Sequence, residues 1–225
     1  MATKTLLLDL DGTVLDTREF ILAAMIHTLA SHGIEGPSRA DLNVYMGGQA
    51  GASPQVAELA RTVGLPLEAI YARLWAGDPW QLVETHRTFQ SQNLDMVTAF
   101  PGAKETLEKI RARGVRLAAV TSRSQRTSVR SVEVAGLGGY FEAVVSAEDT
   151  PTLKPDPAPL IHALALLRVG SESAAIAGDT EHDIQAGKAI GIRTIGVSYG
   201  FGAEGLPAAK PDVMIDAITE LPGAL

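Results

Sequence analysis

The sequence predicts an α/β protein: one parallel sheet whose first strand is separated from the others by a helical insertion. Three observations carry that expectation. From about residue 94 onward, short apolar strand patterns alternate with helical ones. Between Thr17 and Asn93 the pattern is helical, with few Val-Ile runs. Several strand patterns end on a polar or charged side chain instead of fading into a turn. Alternating strands and helices imply right-handed crossovers and a sheet covered on both faces.

The elements follow in order. Thr5-Leu6-Leu7-Leu8 reads as a buried strand running into the acidic turn Asp9-Leu10-Asp11-Gly12. Phe20, Ile21, Ala24, Met25, Thr28 and Leu29 form one helical face, with Gly33 suited to its stop. Gln55 to Val63 and Leu67 to Trp75 repeat the helical spacing. After Phe100-Pro101-Gly102 come a helix over Ala103 to Arg113, a strand over Val115 to Val120 and a helix leading to Gly136. Ala143 to Val145 is a strand, Asp156 to Leu167 a helix and Ala174 to Ala177 a strand that ends in Gly178-Asp179. Asp183 to Ala189 is helical; Thr194 to Val197 and Val213 to Ile215 are strands, and Gly200 to Pro211 reads as a loop. The expected division is a core of residues 1–16 and 94–225 with a helical cap of residues 17–93, hinged at Thr17 and near Asn93 to Ala99.

Composition narrows the function. The 225 residues carry a formal charge of −7, which argues against nucleic acid as a main partner. With no cysteine, a disulfide scaffold, a thiolate zinc site and a cysteine nucleophile are excluded. No apolar run approaches the roughly 20 residues of a membrane helix, and Asp9 and Asp11 interrupt the only signal-like stretch, so neither membrane nor secretion is expected and a cytoplasmic location is. The oligomeric state is not legible.

The polar residues at strand ends are the informative set: Asp9 and Asp11 after the first strand, Thr121 and Ser122 after Val120, Lys154 in the loop beyond Val145, and Asp179 after Ala177. In an open α/β sheet, ligands bind in the crevice outside the carboxyl ends of the strands. Asp9 and Asp11, two apart in extended chain, point the same way. Asp179 adds a third carboxylate, and Asp183 a fourth in the first turn of the next helix. Clustered carboxylates with no His or Cys ligand suit a hard cation such as Mg²⁺, which lets the site accept a phosphate dianion. Lys154, Thr121 and backbone N–H groups from Leu10 to Thr13 would hold the other phosphoryl oxygens. Asp9 is then the candidate attacking carboxylate and Asp11 the acid and base.

These residues resemble the haloacid dehalogenase-like superfamily. Its DxDGT motif is matched by Asp9-Leu10-Asp11-Gly12-Thr13, its Ser/Thr motif by Thr121, its Lys motif by Lys154-Pro155 and its acidic motif by Gly178-Asp179-Thr180-Glu181-His182-Asp183. The order is kept, and the resemblance covers essentially the whole chain. The insertion and the flanks Phe100-Pro101-Gly102-Ala103 and Gln185 to Gly191 look like the phosphoglycolate phosphatase-like branch, which has a small helical cap. The resemblance implies a Rossmann-like core and Mg²⁺ held by Asp9, the Asp11 carbonyl and Asp179, supported by Asp183. It also implies hydrolysis of a small phosphate monoester through an aspartyl phosphate on Asp9. Gly12, Thr13, Ser122 and Arg123 are expected to line the substrate, with Arg123 at an anionic leaving group and Gly47-Gly48 as a specificity loop.

Within that superfamily, Asp11 disfavours carbon–halogen cleavage, and residues 17–93 contain no lysine for a Schiff base. The neutral loop Tyr45 to Gly51 differs from the basic, Ser-rich loop of hexose-phosphate mutases. Phosphomutase and pyrophosphatase remain alternatives, as does a phospho-acceptor signalling module without turnover. Outside the motifs, plainer roles are expected. Trp75 and Trp80 would pack the cap, His27 and His32 would be surface or satisfied helix residues, and His182 an exposed neighbour. Arg111, Arg113 and Arg116 would form a solvated face. Taken singly, Lys154 reads as a loop lysine, Asp183 as a helix-start acid and Thr121 as a helix cap.

Overall fold

The computed structural model describes residues 3–41 and 66–225. The expected helix over Gln55 to Val63 and the loop with Gly47 and Gly48 lie outside these residues. Six parallel strands form the sheet: β1 (Thr5–Leu8), β4 (Arg116–Val120), β5 (Ala143–Val145), β6 (Ala174–Gly178), β7 (Arg193–Val197) and β8 (Val213–Ile215), in the order β5-β4-β1-β6-β7-β8. β1 pairs with β4 on one side and β6 on the other, with Leu8 opposite both Ala119 and Ala177. The connections leave β1 in both directions, so a crevice opens at its carboxyl end.

β1 is wholly buried because both its faces are covered. Leu6 and Leu8 pack with Leu107 and Ile110 of α4 (Ala103–Ala112) and with Val132 of α5 (Gln125–Val134). Leu7, pointing the opposite way, packs with Leu160 and Ala163 of α6 (Ala158–Leu166) and Ala186 of α7 (Glu181–Ala189). That two-sided burial explains why the first strand reads as an unbroken Leu run.

Between β1 and β4 the chain runs through α1 (Arg18–Ser31), α2 (Leu67–Leu74) and α3 (Pro79–Gln92). Leu29, Tyr71, Leu82 and Val83 join the three helices in one small apolar cluster. A second cluster of Leu22, Met25 and Ile70 takes in Phe201 from beyond β7. The insertion is entered and left through a two-strand antiparallel ladder, β2 (Leu15–Asp16) against β3 (Thr98–Ala99), at the places expected to hinge.

Two expectations need correction. Trp80 does not pack the insertion: it is 53% exposed, because α3 buries the stripe Leu82, Val83, His86 and Gln90 and Trp80 lies off it. The stretch Gly200 to Pro211 is not plain loop; it holds a 3₁₀ turn at Ala203–Gly205 and α8 (Leu206–Ala209), with Pro207 in the first turn, where its missing N–H is tolerated. The chain ends in α9 (Leu221–Ala224). Among the described residues, no helix is long and apolar enough to cross a membrane.

Candidate active site

Parallel register brings the strand ends level, and the side chains that follow them meet. Asp9, Asp179 and Asp183 are buried with carboxylate oxygens within 4.8 Å of one another. Lys154 stands among them. Its Nζ donates to Asp9 Oδ1 at 2.7 Å, to Asp183 Oδ1 at 2.6 Å and to the Val120 carbonyl at 2.8 Å. An ammonium has three hydrogens, so all are committed. Lys154 is therefore not a solvated loop lysine. Nor does it hold a spare hydrogen for phosphate, as expected from the sequence; it orders two carboxylates and supplies charge.

Asp183 is held through both its oxygens, and Asp9, Asp11 and Asp179 through one each. Asp183 Oδ2 accepts the Thr180 N–H at 3.1 Å and the Thr180 hydroxyl at 2.7 Å, so the residue organises the start of α7 while its Oδ1 meets Lys154. Asp179 Oδ2 accepts the N–H groups of Phe201 at 2.7 Å and Gly202 at 3.0 Å. Asp11 Oδ1 accepts the Thr17 hydroxyl at 2.8 Å and Arg123 Nη1 at 3.0 Å. Among the described residues, Asp9 Oδ2, Asp179 Oδ1 and Asp11 Oδ2 have no donor.

Burial drives the electrostatics. It pushes Asp9 well above the usual carboxylate range, with Asp183 and Asp179 adding to the rise and Lys154 opposing it. It pushes Asp179 up to about 7, helped by Asp183 and opposed by the Gly202 and Phe201 N–H groups. Burial works against the Lys154 ammonium, but Asp183 and Asp9 outweigh it and raise its pKa. One ammonium among three buried carboxylates leaves the cluster short of positive charge. An all-oxygen donor set with that deficit fits a hard divalent cation.

The backbone of the first turn is built for close approach. Gly12 has φ +80°, and a Cβ there would lie 2.2 Å from Asp179 Oδ2. Of the N–H groups expected to serve a phosphate, Leu10 to Thr13, those of Gly12 and Thr13 instead close the turn on the Leu15 and Leu10 carbonyls. Thr13 is 1% exposed and sits outside the wall of the cavity; its carbonyl accepts the Tyr199 hydroxyl at 2.8 Å. Thr121 Oγ1 accepts the Arg123 N–H at 3.2 Å, which leaves its own hydrogen for a ligand.

A cavity of about 1040 Å³ covers this cluster. Asp9, Asp11, Thr121, Ser122, Arg123, Lys154, Asp179 and Asp183 border it, as does His182, which is half-buried instead of exposed. Arg123 is held over the Phe20 ring by Asp11 and by the Ser131 hydroxyl, 3.0 Å from Nη2, while its Nε has no partner among the described residues. Arg111, Arg113 and Arg116 bond to Gly139, Pro222, Glu142 and Leu167 on the exterior, apart from the cavity.

Sequence reading missed two groups. The segment after β7 clamps Asp179 from above; a Cβ on Gly200 would lie 2.1 Å from Asp179 Cβ and 2.6 Å from the Gly12 carbonyl. Paired glycines flanking Phe201 were the available signal. On α3, His86, Arg87 and Gln90 border the cavity. Their i, i+1, i+4 spacing is the usual core pattern, and nothing in it marks a site.

The chain belongs to the haloacid dehalogenase-like hydrolases: the family described as Haloacid dehalogenase-like hydrolase matches residues 6–197. A Bacillus velezensis protein named pyrophosphatase PpaX is 31% identical over 218 residues, spanning 96% of this chain and 93% of its own length. Its namesake in Bacillus cereus (strain Q1) is 29% identical, across 98% of this chain and 95% of its own. Among solved structures, a predicted phosphoglycolate phosphatase from Haemophilus somnus superposes with a TM-score of 0.80 at 22% identity, covering 98% of this chain and 97% of that one. CbbY from Rhodobacter sphaeroides in complex with phosphate gives 0.77 at 20%, covering 97% and 96%. At such identities the superpositions speak for the Rossmann-like fold.

Proposed function

We propose that this hydrolase is a Mg²⁺-dependent phosphatase that cleaves a small phosphate monoester through an aspartyl phosphate on Asp9. The observation that carries the reading is Asp9 itself: Lys154 fixes one of its oxygens, and the other opens on a buried cluster that also holds Asp179 and Asp183.

Asp9, the Asp11 carbonyl and Asp179 would hold the cation, with Asp183 supporting it. When bound, it neutralises the carboxylates and the phosphate dianion. Asp9 Oδ2 attacks phosphorus and the bond to the leaving oxygen breaks. Asp11 Oδ2, the oxygen left free by Thr17 and Arg123, delivers a proton to that oxygen. The same carboxylate then takes a proton from water, whose oxygen attacks phosphorus. Phosphate leaves and Asp9 is restored. Thr121 donates to a phosphoryl oxygen, and Ser122 borders the same space. Such transfer needs little beyond positioning and charge neutralisation.

Residues 17–93 act as a cap over a core of residues 1–16 and 94–225, with the β2–β3 ladder as the joint. Closure excludes water and selects the leaving group. Inorganic pyrophosphate is the second substrate reading, favoured by the relatives named for it.

The test is a panel of phosphoglycolate, pyrophosphate, a hexose phosphate and p-nitrophenyl phosphate, with Mg²⁺ or EDTA. Turnover that needs Mg²⁺ and disappears in Asp9→Asn supports the reading. Stoichiometric phosphorylation without turnover would establish the signalling alternative.

A further inference from the structure

We propose that α3 carries a subsite for an anionic group on the leaving half of the substrate, with Arg87 as its charge and His86 and Gln90 as neutral partners. This rests on the phosphatase reading and names what that phosphatase selects.

Three cations border the cavity among the described residues: Lys154, Arg123 and Arg87. Lys154 is spent on Asp9, Asp183 and Val120, and Arg123 already faces the carboxylate of Asp11 and bonds to Ser131, with only its Nε unpartnered. Arg87 is half-buried on the cavity wall and has neither hydrogen bond nor ion pair. A guanidinium kept partly out of water without a partner is a ready recipient for a carboxylate or phosphate.

His86 supplies the independent observation. It is fully buried, borders the same cavity, and its Nε2 has no partner. Leaving such a group dry and unpaired is costly, and a ligand that bonds to it would recover that cost. Nδ1 lies 2.7 Å from the Tyr71 hydroxyl, which fixes the ring. Where Tyr71 donates to Nδ1, Nε2 carries the hydrogen and is left as a donor. Burial, with Arg123 and Arg87 adding to it, lowers the His86 pKa to about 3, so the ring is neutral and does not compete with Arg87 for the anion. Gln90, one turn on, is buried and its amide is also without a partner. Against the anion stands Glu68 of α2, a half-buried carboxylate on the same wall that makes no ion pair.

Three substrates separate the sources of the anion: 2-phosphoglycolate offers a carboxylate, inorganic pyrophosphate a second phosphate, and p-nitrophenyl phosphate neither. In Arg87→Ala, kcat/KM on one or both anionic substrates should fall at least tenfold further than on p-nitrophenyl phosphate, mainly through KM. Arg87→Lys should restore part of the difference, His86→Phe should reproduce part of it, and Glu68→Gln should shift preference toward the anionic substrate. Equal losses on all three substrates overturn the proposal. Titration of pyrophosphate and phosphoglycolate into the Asp9→Asn protein with Mg²⁺ reads the subsite without turnover. A Kd at least tenfold weaker after adding Arg87→Ala supports it, and an unchanged Kd overturns it. A wild type inactive on all three substrates defeats the phosphatase reading, and the titration still decides the subsite.

Discussion

The floor and the wall of the cavity are built on opposite rules. On the floor, Lys154 spends three hydrogens, Asp179 and Asp183 each tie up one oxygen with two donors, and Asp11 does the same with Thr17 and Arg123. On the wall, Arg87, Gln90 and His86 Nε2 have no partner. A floor whose carboxylates are each anchored through at least one oxygen is oriented before any ligand arrives, which is where electrostatic catalysis gains most. A wall with open groups gains its partners only from a ligand. On the proposed reading, chemistry and selectivity are divided between strand ends and a helix face.

The sharpest way to break this division is Asp9→Asn. Hydrolysis should fall by at least about a thousandfold on every substrate, as expected for a removed nucleophile; a loss confined to anionic substrates would place Asp9 on the selective side instead. Lys154→Met should be the most destabilising change on the floor, by about 3–5 kcal/mol in urea unfolding, because it leaves buried carboxylates without their cation. An Arg87→Ala variant, whose side chain is unpaired, should barely move the same transition. Arg123→Ala tests whether that residue serves Asp11. Turnover of an alkyl phosphate, whose leaving group needs a proton, should drop about tenfold more than that of p-nitrophenyl phosphate. The smallest effect concerns pH. Without a divalent cation, Asp179 has a pKa of about 7 against an ordinary 3.8. Its contribution to stability is therefore complete below pH 3.8 and is lost as pH rises through 7. Because Mg²⁺ binds the ionised form, its stabilising increment in thermal melts should be larger at pH 8 than at pH 5.

The floor was legible because its residues sit at fixed offsets from apolar runs. Leu8 leads to Asp9, Val120 to Thr121 and Gly178 to Asp179, and parallel register does the rest. What escaped was how each group is used. The three partners of Lys154 and the Asp11 carboxylate beside Arg123 lie far off in the chain and are seen only in the fold. Phe201 escaped because its working atom is a backbone N–H, which no side-chain pattern marks.

The sequence by itself determined the parallel sheet, the helical insertion and the identity of the acidic cluster, because alternation and strand-end placement are local properties. Only the tertiary structure decided which oxygens of Asp9, Asp11 and Asp179 stay free, that the segment after β7 grips Asp179, and that Arg87 has no counter-charge among the described residues. Those outcomes depend on contacts between residues distant in the chain, where hydrogen-bond demand and burial are settled only once the elements have packed.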